Sequence, residues 1–86
     1  MRIVLHRNFE KRIKKLPLSV REAYKAKRDV FLKNPFHPIL DNHPLQGKYA
    51  HLRSINITSD YRVLYEPISD TLAHFMKIGT HAELYG

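Results

Sequence analysis

Six histidines in 86 residues are the first chemical feature of this chain. Imidazole is the side chain that takes and gives protons near neutrality. Three of the six sit where a site could use them: His43 in a proline-rich stretch, His51 at the start of a strand-like run, and His81 directly after Gly79-Thr80. Two imidazoles on a basic surface suit cleavage of an RNA phosphodiester. A base takes the proton from the ribose 2′-OH, cationic groups stabilise the crowded phosphate, and an acid protonates the departing 5′ oxygen. That reaction requires no metal, and the chain contains neither the H-x-x-x-H spacing of a helical zinc site nor a glycine-rich phosphate loop. Scattered surface histidines are also common, so spacing alone leaves the catalytic pair as one of two readings. His74, in phase with Leu72 and Met76, reads as a hydrogen-bonded structural residue and is kept out of the site.

The surroundings of these groups are set by composition. A single domain over residues 1–86 is expected, near the size at which one core can just outweigh chain entropy. The absence of cysteine excludes a disulfide scaffold and a thiolate metal site, and favours a cytoplasmic home. No apolar run approaches the roughly 18 residues of a membrane span, and no signal-peptide core precedes the first helix, so neither export nor insertion is expected. Fifteen Lys and Arg against eight Asp and Glu give a net charge of +7. The excess is at the front: residues 1–33 carry eleven basic and three acidic side chains, residues 34–86 four and five. Such a surface gathers polyanions, whether nucleic acid, ribosome or an acidic protein; the alternative is a solvated, lysine-rich helix face.

The elements that must position the histidines follow from periodicity. Met1–Leu5 is β-prone, and Asn8 is expected to cap a helix carrying Phe9, Ile13 and Leu16 that stops at Pro17. Ser19 to Glu22 has capping-box spacing, and Val20, Ala23, Tyr24, Val30 and Phe31 stripe a second helix ending before Asn34-Pro35. Residues 34–47, with three prolines and a glycine, read as a rigid surface loop. Tyr49–Ile57, Tyr61–Glu66 and Thr71–Ile78 read as strands joined by short turns, hence antiparallel neighbours, and the tail 79–86 as packing back on the sheet. The expected fold is α+β: an N-terminal strand and a basic two-helix hairpin packed on an antiparallel sheet of three to four strands. In the first of these runs Ile55 and Ile57 point to one face, Ser54 and Asn56 to the other.

Four stretches, HPLQG at 43–47, Leu52-Arg53 to Asn56-Ile57, DYRVLYE at 60–66 and GTHAELY at 79–85, together resemble the RelE/ParE superfamily of bacterial toxins from type II toxin–antitoxin modules, in its YafQ-like branch. The N-terminal half matches only in its order of elements. The resemblance implies a toxin that cleaves mRNA on the translating ribosome and is held inactive by a cognate antitoxin. The chemistry above calls for no metal or other cofactor, and the positive and apolar surface calls for an acidic, amphipathic toxin-binding segment on the antitoxin. It implies functional roles for His43, Asp60, His81 and Tyr85. His81 is then the general acid, His43 and Asp60 the base or a pair that orients it, and Tyr85 stacks on a base or holds the phosphate. Lys48, Arg53, Arg62, His51, Asn56 and Ser54 complete the expected RNA- and phosphate-binding set, with Arg62 equally able to pair with Glu66. Where the branch carries an acidic residue and a histidine on the second strand of the chain, here Tyr49–Ile57, this chain has Ser54 and Asn56, neither of which transfers protons near neutrality. The alternatives within the same fold are a ParE-like inhibitor of DNA gyrase and a degenerate, non-cleaving binding protein.

Overall fold

The chain enters as an edge strand and turns at once into helix. In the computed structural model, which describes residues 1–85, Arg2–Leu5 forms β1 and Arg7–Ile13 forms α1. Gly86, the end of the expected tail, lies outside the described residues. His6 makes the turn between them: its N–H donates to the Phe75 carbonyl at 2.9 Å, and its Nδ1 accepts the Asn8 N–H at 3.0 Å. The helix is therefore capped by His6, not by Asn8 as expected, because the last ladder bond of β1 leaves His6 extended with its side chain over the first turn. Helix α2 spans Leu18–Lys33 and starts on the carbonyl of Pro17, with no side-chain cap. The expected Ser19 capping box does not form, since proline's fixed φ already sets the helix entry two residues earlier.

The sheet contains β2 (His43–Pro44), β3 (Arg53–Asn56), β4 (Tyr61–Ser69) and β5 (Leu72–Thr80) besides β1, in the order β1-β5-β4-β3-β2. It has five strands rather than three or four, and it is mixed, because β1 runs parallel to β5. The two extra features share a cause. Helices α1 and α2 carry the chain across the sheet before β2, so β1 can lie beside β5 without a hairpin, and the proline-rich loop lays two residues along β3. The run expected as a strand from Tyr49 begins instead with a 3₁₀ turn, Gly47–Tyr49. Strand β4 extends through Pro67, beyond the end of its pairing with β3 at Tyr65, where it has become an edge and proline is tolerated. The tail is a short helix, α3 (His81–Tyr85).

One face of the sheet is covered by the hairpin. Phe9, Val20, Tyr24 and Phe31 from the helices meet Ile55, Val63, Tyr65, Phe75 and Ile78, all buried. Phe31 stands edge-on to Tyr65 and Phe75 at 5.1 and 5.3 Å between ring centroids, an arrangement that aromatic quadrupoles favour. Burial pushes the Tyr24 phenol up to about 12, against a smaller opposing pull from Arg28. The basic residues of the hairpin do not all face solvent. Lys11, Lys14, Lys15, Lys25 and Lys33 are exposed, whereas Lys27 donates to the Ile57 carbonyl at 3.0 Å and ties α2 to the end of β3. Among the described residues no helix is long and apolar enough to cross a membrane.

Candidate functional site

Directly paired residues share a face of a sheet, and the pairings draw one row across the face opposite the helices. His43 lies opposite Ser54, Ser54 opposite Leu64, and Leu64 opposite Lys77. A second row runs through Asn56, Arg62 and Gly79. Helix α3 folds over the end of these rows, and between them lies a cleft of about 350 Å³ lined by Asp41, His43, Leu45, Ser54, Arg62, His81 and Tyr85. His43 and His81, from segments far apart in the chain, thus line the same cleft.

Each imidazole is held by a local device. The 3₁₀ turn Pro38–Leu40 ends at Asp41 in the left-handed region, φ 47°, a conformation that aspartate tolerates better than most residues. This places the Asp41 carbonyl 2.7 Å from His43 Nδ1 and its carboxylate 3.8 Å away. A carbonyl only accepts, so the bond requires the proton on Nδ1 and leaves Nε2 as the free lone pair of the neutral ring. His81 opens α3, where its N–H donates to the Asp60 carbonyl at 3.1 Å, and its ring lies 4.7 Å from that of Tyr85 one turn on.

The short helix is fixed at its base. Thr80 N–H donates to Glu83 Oε1 at 2.8 Å and Glu83 N–H donates back to Thr80 Oγ1 at 3.1 Å, a reciprocal cap. Arg12 of α1 closes an ion pair on the other Glu83 oxygen. The Thr80 amide holds the Glu83 carboxyl below its ordinary range; burial, the next-largest influence, opposes it, and the Thr80 hydroxyl and Arg12 add smaller pulls in the same direction as the amide. Gly79 lies directly beneath: a Cβ there would come 3.3 Å from Glu83 Oε1 and 3.4 Å from Glu83 Cβ, so a larger residue would press on the Glu83 side chain.

The remaining expected residues divide. Ser54 is buried at the floor of the cleft. Arg62 lines it and donates to the Thr58 and Tyr61 carbonyls at 2.9 and 3.1 Å, and Glu66 is not its partner. Asn56 has a buried side-chain oxygen without a hydrogen-bond partner among the described residues. Asp60 touches His81 through its backbone while its side chain is exposed in the β3–β4 turn. Lys48 is exposed beside Tyr49, its ammonium 5.1 Å from that ring. His51 lies exposed in the turn before β3 and does not line the cleft.

Arg53 is a correction. It is in phase with Ile55, hence on the helix-side face, where Nε donates to Asn42 Oδ1 at 2.7 Å and the guanidinium lies 5.2 Å from the Phe36 ring centroid. It does not reach the cleft, and the period of two along Arg53-Ser54-Ile55 already contained that answer. Asp41, Thr80 and Glu83 were missed by the residue-type reading. The T-x-x-E spacing at 80–83 was a legible capping signal; Asp41 carried only its position two residues before His43. A second cleft of about 420 Å³, between α1, β5 and α3, contains one imidazole, His6, whose Nδ1 is committed to capping α1. The His74 ring lies 5.7 Å from that of His6 and lines neither cleft.

Known proteins share the sequence pattern and the fold. The family model described as bacterial toxin of type II toxin-antitoxin system, YafQ, matches residues 1–86. The mRNA interferase toxin YafQ of Escherichia coli K12 is 35% identical over 52 residues, 60% of this chain and 55% of the relative, so the match spans about half of that protein's length. The crystal structure of YafQ from E. coli BL21(DE3) superimposes with a TM-score of 0.81 at 25% identity, covering 99% of this chain and 98% of that one. The YoeB/ParE toxin from Agrobacterium tumefaciens, 19% identical, shares the fold with a TM-score of 0.76, covering 94% of this chain and 99% of that one.

Proposed function

Because this chain belongs to the YafQ family of bacterial toxins of type II toxin–antitoxin systems, we propose that it is an endoribonuclease that cuts mRNA on the translating ribosome by metal-independent acid/base chemistry. The observation that carries the reading is the shared cleft: His43 and His81 line it together with Arg62.

The chemistry follows from the orientation of the rings. His43, with Nδ1 bonded to the Asp41 carbonyl, offers Nε2 to the ribose 2′-OH and takes its proton. The 2′ oxygen forms a bond to phosphorus as the bond to the 5′ oxygen breaks. His81 gives its proton to that departing oxygen, leaving a 2′,3′-cyclic phosphate on one fragment and a 5′-hydroxyl on the other. Arg62 lies where a guanidinium can stabilise the non-bridging oxygens as charge accumulates. Tyr85 presents an exposed ring beside His81 for a base to stack on. Ser54 on the cleft floor and Asn56 beside Arg62 supply hydrogen-bonding groups and no proton-transfer group.

The partner proposed for this chain is an antitoxin with an acidic, amphipathic segment that folds on the basic surface. A relative with a TM-score of 0.67 and 23% identity was solved as the E. coli DinJ-YafQ toxin-antitoxin complex. The cytoplasm, where mRNA and ribosomes reside, is the proposed site of action.

The test is induction of the chain in bacteria with mapping of mRNA 5′ ends and measurement of DNA supercoiling. Cuts that require translation and vanish in His81→Ala are expected. Arrested replication with intact mRNA would replace the nuclease by a gyrase inhibitor. Whatever cutting of free RNA the purified chain shows should be equal with and without a chelator.

A further inference from the structure

We propose that Tyr49, Tyr85, Lys48 and Lys77 form a second nucleotide subsite, which takes the base and phosphate on the leaving-group side of the cut link; this rests on the nuclease reading above. Four facts meet there. The rings of Tyr49 and Tyr85 stand edge to face with centroids 6.2 Å apart. Tyr85 lines the cleft and Tyr49 does not, so the pair extends the cleft outward. The ammonium groups of Lys48 and Lys77 lie 5.1 and 5.6 Å from the centroid of the same Tyr49 ring. Neither forms a salt bridge with a carboxylate among the described residues.

Each fact constrains the occupant. Two like charges gathered on one ring repel each other, and both are stabilised when an anion lies between them. An edge-to-face tyrosine pair leaves an aromatic surface on which any nucleobase stacks, because every base has a π-face. A single-stranded polynucleotide supplies the anion and the flat apolar ring at one spacing; an acidic peptide supplies only the anion. Direction follows from the acid. The ring of His81 lies 4.7 Å from that of Tyr85, so the path runs from His81 through Tyr85 to Tyr49. His81 protonates the 5′ oxygen of the departing nucleotide, so that nucleotide lies on His81's side of the cleft and the one adjoining it reaches Tyr49. Lys77 belongs to the site face by register, at the far end of the row His43, Ser54, Leu64.

The experiment uses short oligoribonucleotides with a 2′-deoxy sugar at the target link, so that binding is read without cleavage. One ends just after the link and one carries a further nucleotide on the 3′ side. Binding to the full chain is followed by NMR titration, which also reads the tyrosine ring resonances. The extra nucleotide should tighten binding on the order of tenfold, the scale of one stacked base. It should also shift the Tyr49 and Tyr85 rings. Tyr49→Leu should abolish the gain and Tyr49→Phe keep it. Lys77→Ala, on an exposed position, should flatten the salt dependence of binding by about 0.7 in the log–log slope, one phosphate contact's share. No gain from the extra nucleotide, or a gain that survives Tyr49→Leu, overturns the subsite while mRNA cutting in cells leaves the nuclease intact. A chain that neither cuts mRNA in cells nor binds either oligonucleotide overturns both.

Discussion

Replacing Glu83 with alanine removes the carboxylate that accepts the Thr80 N–H, and with it the Arg12 ion pair to α1, while adding no bulk. The pair is exposed, so its attraction is screened and contributes at most about 1 kcal/mol. The reciprocal cap with Thr80 contributes about 1 kcal/mol. Helix α3 is five residues long with no buried side chain, too short to persist on intrinsic propensity. A loss of about 1–2 kcal/mol then lowers the ratio of docked to undocked α3 roughly five- to thirtyfold. Since His81 and Tyr85 ride on α3, cleavage should fall, by up to that factor. The core is untouched, so the melting temperature should fall by less than the roughly 4–8 °C per kcal/mol that a global loss produces in a domain of this size. Glu83→Gln keeps an acceptor for Thr80 and loses the charge, so it should retain most of the activity. The pH dependence has a definite sign. The folded carboxyl sits below its ordinary value of 4.5, so the carboxylate's contribution is complete above 4.5 and is lost as pH falls through the folded value. Between about pH 5 and 8 the variants should lower the activity profile without reshaping it. The assay is kcat/KM for mRNA cleavage beside a thermal melt. Parent-like cleavage by Glu83→Ala, or a loss of activity matched by a large drop in melting temperature, would refute the reasoning.

Other substitutions probe the remaining links. Gly79→Ala, whose Cβ would come 3.3 Å from Glu83 Oε1, should reduce cleavage severalfold with little change in the melt, as measured in the same paired assay. His43→Ala and His81→Ala should each lower cleavage by about 10²–10⁴-fold without unfolding the chain, judged by circular dichroism. Asp41→Gly keeps the carbonyl that orients His43 and permits the same left-handed backbone, so it should cost far less activity than His43→Ala. Phe31→Ala, at the centre of the aromatic core, should destabilise the fold by about 3–5 kcal/mol in denaturant titration.

What the sequence determined by itself was what a few neighbouring residues can encode. Apolar spacing marked the Phe9 and Phe31 stripes of the two helices, and alternation in Ser54-Ile55-Asn56-Ile57 separated a core face from a polar one. Residue chemistry singled out His43, His51 and His81, the family resemblance narrowed them to His43 and His81, and the TxxE spacing held the cap of α3. Tertiary structure decided what depends on partners far along the chain. That β1 lies beside β5, making the sheet mixed, depends on helices filling the crossover between them. That His43, Ser54, Leu64 and Lys77 form one row depends on the register of three strand pairs, and a slip of one residue would have sent each side chain to the opposite face. Tyr49, meeting Tyr85 across the fold, owes its place to long-range packing of this kind. Local periodicity fixes which faces an element has; only the burial of all its partners at once fixes which neighbours those faces meet.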